Sequence, residues 1–373
     1  MITPFDDYPI HQTAVPVAYP ATGDRNYYDR YFFNGYDRDG DFFFAVAMGI
    51  YPNRKVIDTS FSVVHAGEQR SVHASARAPL DRSVTACGPV RVEVVEPLRR
   101  LRVLVDAPEQ GLTADLTFTA RTPAVEEPRT TTASGVHVTM DSTRLTQWGA
   151  WNGTLSTGGT ELTCTPEAVP GTRDRSWGIR GVGEPPGGAP PTEAPQFFWL
   201  WAPLHFADHC THYALVDDAR GRHWYESACR VPLLPDADEL TEIDHARSCD
   251  FTIDWAPGTR RARTAELTAT GWDGTAVTTR LTPLLAFQMR GIGYFNPEWA
   301  HGLWKGEQAV GGSYWKLAEL DLSAPENTHV QQLVRAETPY GTGIGVLEQL
   351  HIGPHAPSGF TGAFDPAPAE EPR

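Results

Sequence analysis

The chain has 373 residues, more than one ordinary domain holds, and a formal charge of −15. Such an acidic balance argues against nucleic acid or an anionic membrane as the main partner. The five cysteines (Cys87, Cys164, Cys210, Cys229, Cys249) are widely spaced with no C-x-x-C, so neither a disulfide framework nor a zinc ribbon is expected.

Residues 1–18 read as an N-terminal arm with no basic-then-apolar leader. No segment reaches the apolar length of a membrane span, and reduced thiols fit a cytoplasmic protein. An aromatic run follows: Tyr27, Tyr28, Tyr31, Phe32, Phe33 and Tyr36, then Phe42 to Phe44. Period-two alternation predicts strands over Val90 to Val94, Leu98 to Val105 and Leu112 to Ala120. The Pro-, Glu- and Thr-rich segment Ala124 to Ser134 reads as a long hairpin loop, and Trp148 to Thr163 as a hairpin. Asp39-Gly40, Asn152-Gly153 and Asp273-Gly274 read as hairpin turns. Beyond the Gly- and Pro-rich loop Gly181 to Pro195, strands are expected over Phe197 to Phe206, Tyr213 to Val216, Arg222 to Val231, Cys249 to Trp255, Ala265 to Thr270 and Val277 to Arg290. Pro235 to His245 and Asn296 to Lys305 are the places for short helical turns or loops. The Pro-rich tail 355–373 is expected to be disordered.

The densest polar feature is Arg173-Asp174-Arg175-Ser176-Trp177-Gly178-Ile179-Arg180. In a strand, Arg173, Arg175 and Trp177 share one face, and Asp174, Ser176 and Arg180 the other. Either face then carries charge, so the segment either fixes a corner of the fold as a charged clamp or shapes a polar site. A buried Asp174 would serve as an acid only if desolvation raises its pKa against the pull of its arginines.

Asp174-Arg175-Ser176-Trp177-Gly178 resembles the D-H-x-W-G signature of the AttH-like and hydroxyneurosporene synthase (carotenoid hydratase) superfamily. Tyr27 to Asp37 is similar to the opening strand of that group, and Gly343 to Gln349 with Ile352 to His355 to its actinobacterial members. The resemblance implies an all-β chain of two lipocalin-like antiparallel barrels packed side by side, here 19–164 and 165–354. It implies an enzyme acting on a lipophilic terpenoid, carotenoid or steroid-like substrate by hydration, dehydration or cyclisation in an apolar barrel pocket. A carrier of such a molecule without chemistry is the alternative. The catalytic candidates are Asp174, Arg175 and Trp177; the substrate-binding candidates are Tyr28, Asp29, Tyr31, Phe33, His65, Arg173 and Arg180. Arg175 stands where the signature has histidine, and arginine cannot shuttle protons near neutral pH, so a histidine-based mechanism does not carry over unchanged.

Other motifs carry less. His205-Phe-Ala-Asp208-His209-Cys210-Thr-His212 gathers metal-ligand types, but alternation puts His212 on the other face from His205 and His209. Gly341-x-Gly343-x-Gly345 lacks a βαβ setting, and there is no phosphate loop or G-x-S-x-G elbow. No metal and no cofactor are expected. The first strands mix large aromatics with Gly35, Ala45, Ala47 and Gly49, which predicts space beside rigid walls inside a barrel.

Overall fold

Phe42–Tyr51 is buried at every position, and such a strand is stable only if both of its faces are covered. The computed structural model shows how, describing residues 2–184, 189, 194–234 and 241–368. Phe42, Phe44, Val46 and Met48 turn into the interior of one sheet. Phe43, Ala45 and Ala47 turn into a seam shared with a second sheet.

The first sheet uses β1 (Tyr27–Tyr36), β2 (Phe42–Tyr51), β3 (Val56–His65), β4 (Glu68–Arg77), β5 (Ala86–Cys87), β6 (Val90–Glu96), β7 (Arg100–Ala107) and β8 (Leu112–Ala120). It continues with β9 (Val125–Glu126), β10 (Thr130–Ser134), β11 (His137–Thr157), β12 (Thr160–Cys164) and β13 (Pro170–Ile179). The second half contributes β14 (Phe197–Trp201), β15 (Leu204–His205), β16 (His209–Asp217), β17 (His223–Pro232), β18 (Asp244–His245), β19 (Ser248–Trp255), β20 (Ala262–Thr270) and β21 (Ala276–Gln288). It ends with β22 (Gln308–Lys316), β23 (Val330–Thr338) and β24 (Gly341–Ile352). Every strand pairing is antiparallel, and the two sheets run β22-β4-β3-β2-β1-β13-β11-β8-β7-β6-β5 and β18-β17-β16-β14-β24-β23-β21-β20-β19. The chain is therefore nearly all β, with two barrel-like antiparallel sheets as in a paired lipocalin-like fold. Among the described residues, no helix is long and apolar enough to cross a membrane.

Each sheet fills its own interior. Phe33, Phe44, Phe61, Phe118 and Trp151 pack inside the first; Phe198, Leu200, Leu215 and Leu267 pack inside the second. Of the small residues expected to leave room in the first barrel, Ala45 and Ala47 turn to the seam instead, and the glycines leave no space. A Cβ on Gly35 would meet the Phe44 ring at 2.3 Å and Trp151 at 2.7 Å, and one on Gly49 the Tyr51 ring at 2.8 Å. Aromatic rings occupy the space the glycines vacate.

Four expectations are corrected. Asn152-Gly153 is not a turn but lies inside the 21-residue β11. Gly153, at φ 135°, stands where a Cβ would lie 2.0 Å from the Asp115 carbonyl oxygen, so glycine serves close strand approach there rather than chain reversal. The hairpin instead turns at Gly158 and Gly159 between β11 and β12. Ala124 to Ser134 is not simply a loop, because β9 and β10 within it pair with β11. The sheets do not divide at residue 164: β13 lies between β1 and β11, and β22 pairs with β4. The tail is placed through residue 368. Phe360 is buried against Trp255, with Arg260 over its ring at 4.3 Å and bonded to Asp365. Residues 369–373, and 235–240 of the possible helical turn at Pro235 to His245, lie outside the described residues. Asn296 to Lys305 runs as turns without a helix.

Candidate active site

The antiparallel register sets Asp174 of β13 between Phe32 of β1 and Thr146 of β11, and Ser176 between Arg30 and Arg144. These side chains share one sheet face, and that face looks onto the second sheet. There the seam opens into a cavity of about 320 Å³. The first sheet contributes Tyr28, Arg30, Phe32, Arg144, Asp174 and Arg180 to its wall. The facing wall comes from Trp199 and Trp201 of β14, Glu348 and Leu350 of β24, His329, Met289 and Tyr294. The cavity thus lies between the barrels and not inside either one, since both interiors are packed.

The two cavity carboxyls are held in different states. Burial pushes Asp174 up to about 6, against the charges of Arg144 and Arg30, and the negative charges of Glu127 and Glu348 push it the same way. Neither arginine is bonded to it: the Arg30 Nη1 donates to the Tyr294 hydroxyl at 2.8 Å, and the Arg144 Nε pairs with Glu127 at 3.2 Å. Burial also opposes charge on Glu348, but its hydrogen bonds win and hold it below the usual carboxylate range. It lies 2.8 Å from His329 Nε2 and accepts from Gln331 Nε2 at 2.6 Å and Trp199 Nε1 at 3.2 Å.

Behind this wall, Glu127 is buried yet kept far below the carboxylate range, because Arg144 and His212 outweigh its desolvation. It accepts from Thr146 Oγ1 at 2.6 Å, Trp201 Nε1 at 3.2 Å and the Tyr225 hydroxyl at 3.1 Å. Arg144 is stacked over Trp199 at 4.9 Å. Glu127 therefore fixes both Arg144 and Trp201 on the cavity wall.

Of the sequence-derived candidates, Asp174, Tyr28 and Arg180 line the cavity. The remaining candidates lie elsewhere, and strand parity is the reason for most of them. Arg175 bonds Asp29 at 2.6 Å and stacks over Tyr31 at 4.1 Å on the opposite face. Arg173 donates to Gln147 at 2.8 Å, Phe33 packs in the first barrel, and Trp177 is 36% exposed. His65 ends β3 beside Asp41, outside the cavity. The motif's glycine serves the backbone, since a Cβ on Gly178, at φ 129°, would lie 2.0 Å from the Asp141 carbonyl oxygen. His205 is buried beside Arg121 at 3.1 Å, whereas His209 pairs with Asp208 and stacks on Phe206.

Arg30, Arg144, His329 and Tyr294 are not singled out by the sequence, and Glu348, which from its place in the last strand could face a pocket but would more usually be a surface residue, does face it. Arg30 shares its alternation face with Tyr28 and Phe32, which was a usable signal. Glu348 interrupts the apolar run of β24, a weaker one.

The fold and site define a class: two lipocalin-like sheets with a seam cavity lined by carboxyls, guanidiniums and indoles. The chain belongs to the Family of unknown function (DUF8625), which it matches over residues 2–361. No curated protein matches it. Among solved structures it is similar to an AttH-like protein of Nitrosomonas europaea, at 13% identity and TM-score 0.55, covering 92% of this chain and 98% of that one. It is also similar to kievitone hydratase of Nectria haematococca, at 14% identity and TM-score 0.51, covering 86% and 88%. At such identities the likeness establishes the shared fold alone.

Proposed function

We propose that the protein is an enzyme that performs acid-initiated hydration, dehydration or cyclisation on a lipophilic small molecule in the seam cavity. The observation that carries this reading is the split between Asp174 and Glu348. Two carboxyls on one cavity, one raised to about 6 and one held ionised, are the pairing that acid–base chemistry needs. Protonated Asp174 gives its proton to an alkene carbon or a leaving hydroxyl. The cation that develops faces Trp199, Trp201 and Phe32, whose rings favour positive charge. In the hydration direction, water adds to that cation and Glu348 takes the released proton. In cyclisation, an internal double bond takes the place of water and the proton is lost at the end. The hydratase among the structural neighbours supports this reading by analogy of fold alone. A terpenoid, carotenoid or steroid-like skeleton suits the indole walls. The buried free cysteines support a cytoplasmic setting.

The second reading is a carrier, favoured by a walled cavity large enough for a small ligand. Mass spectrometry of molecules that co-purify with the protein supplies the compound to test. An enzyme converts it, and Asp174→Asn binds it without converting it. Binding by both proteins with no conversion by either would establish the carrier.

A further inference from the structure

Arg30 is 2% exposed and lines the cavity, yet only its Nη1 is bonded, to the Tyr294 hydroxyl. Among the described residues, its Nε and Nη2 have no hydrogen-bond partner. These two nitrogens form the side-on edge of the guanidinium, which matches the two oxygens of a carboxylate. The protein uses that edge in this way elsewhere. Arg102 gives Nε and Nη2 to the two oxygens of Asp115 at 2.7 and 2.6 Å, and Arg129 gives the same pair to Asp141 at 2.8 Å each. Both of those forks are at the surface, where a carboxylate is cheap to supply. Arg30 presents the same fork from a buried position, where unpaired charged donors are costly.

The surroundings favour an anion over a neutral acceptor. Arg180 lies over the rings of Tyr28 and Tyr294, at 5.5 and 5.6 Å, and adds a second positive charge to this corner. Arg30 itself lies 4.8 Å from the Tyr294 ring centre. Arg144 is already paired with Glu127, whereas among the described residues neither Arg30 nor Arg180 has a carboxylate at salt-bridge distance, Asp174 acting on Arg30 only from farther away. On the opposing wall, Trp199, Trp201, Met289 and Leu350 supply apolar surface around the Glu348–His329 pair.

We propose that the substrate is a lipophilic acid, its carboxylate received side-on by the Nε and Nη2 edge of Arg30 beside Arg180, and its apolar body laid against Trp199, Trp201 and Leu350. This rests on the cavity being the substrate site. It also links recognition to chemistry. A carboxylate brought into the cavity adds negative charge near Asp174, which favours its protonated form. The bound substrate then helps to load its own proton donor.

The test uses the full chain and an isosteric pair, 1-naphthylacetate and 1-naphthylacetamide, titrated calorimetrically near neutral pH. The two probes differ only in charge and in the second carboxylate oxygen. The carboxylate should bind roughly tenfold more tightly or better. That preference should survive ~0.5 M salt, because a buried pair is poorly screened. Arg30→Met should abolish the preference while amide binding persists, with near-ultraviolet circular dichroism reporting that the fold is intact. Arg180→Met is the second variant and should reduce the preference. Equal affinity of the two probes for the wild-type protein overturns the acid while leaving the cavity as a lipophile site. A preference that persists in folded Arg30→Met overturns the assignment to Arg30. No saturable binding of either probe overturns both the acid and the site reading on which it rests.

Discussion

Strands β1 and β13 lie side by side, and their two faces have been put to different uses. On one face, Tyr28, Arg30, Phe32, Asp174 and Arg180 look into the seam cavity. On the other, Asp29 and Arg175 pair, Arg173 bonds Gln147, and Phe33 packs between Phe118 and Trp151. Both faces carry arginine, aromatic and acidic residues, so composition does not tell them apart. Partnering does. Opposite the cavity, Arg175 pairs with Asp29 and Arg173 is hydrogen-bonded to Gln147; toward it, among the described residues, Asp174 has no bonded guanidinium and Arg30 is only partly bonded. Polar groups left unmatched in a buried place cost stability, and they are the groups on which the proposed chemistry draws.

The comparison can be broken by substitutions that cross it. The largest effect is expected from Phe33→Ala, which empties a fully buried ring site in the first barrel. It should cost about 3–5 kcal/mol in chemical denaturation, yet leave ligand affinity of the folded fraction unchanged. A shifted affinity would mean that the two faces are not independent.

Asp174→Asn should come next, lowering turnover by roughly 100-fold or more while ligand still binds. Its effect on stability has the opposite sign. The folded pKa of Asp174, about 6, is above its unfolded value of 3.8. The folded state therefore holds the proton more tightly, and this contribution is fully present below pH 3.8 and lost as pH rises through 6. Above that pH the native carboxylate carries a desolvation cost, and Asp174→Asn should raise stability by about 1–2 kcal/mol after allowance for water in the cavity. Unfolding midpoints of the two proteins at acid and neutral pH give the sign. Matched midpoints throughout would mean that Asp174 is not desolvated.

The same titration shapes activity. The kcat/KM should decline about tenfold per pH unit above 6 as the acid form of the free protein is depleted, and the break should vanish in the residual activity of Asp174→Asn. A flat profile in that range would remove Asp174 from the acid role. The smallest effect belongs to Arg175→Gln. It breaks a partly exposed pair with Asp29 and should cost about 0.2–1 kcal/mol, with no change in turnover. A large loss of turnover with stability retained would return Arg175 to the active site.

Much of the fold was legible because period-two alternation is a property of single strands. The all-β class, most strand positions and the grouping of Asp174 with Ser176 and Arg180 on one face could all be read that way. Which face meets a cavity could not, because it depends on the partner sheet. The motif residues Arg175 and Trp177 drew interest by chemical type, and parity placed them on the opposite side. Asn152-Gly153 misled for a related reason. Glycine marks a turn when the chain must reverse, but equally a strand where another backbone comes too close for a Cβ. Glu348 could be placed near a pocket but not told from a surface glutamate, and Arg30 could not be singled out, because its hydrogen-bond partner, Tyr294, lies 264 residues away in sequence.

Strand β22 has a consequence for how the chain is made. It closes the edge of the first sheet along β4, from Gln308↔Ala76 to Lys316↔Glu68. During synthesis that edge stays open until more than two hundred further residues have emerged, so Glu68–Arg77 is a template for wrong pairings with other nascent chains. The two sheets cannot mature in simple succession. The late-arriving strand makes completion of the first depend on the second, which commits the chain to slow, long-range closure and makes an isolated N-terminal half prone to self-association.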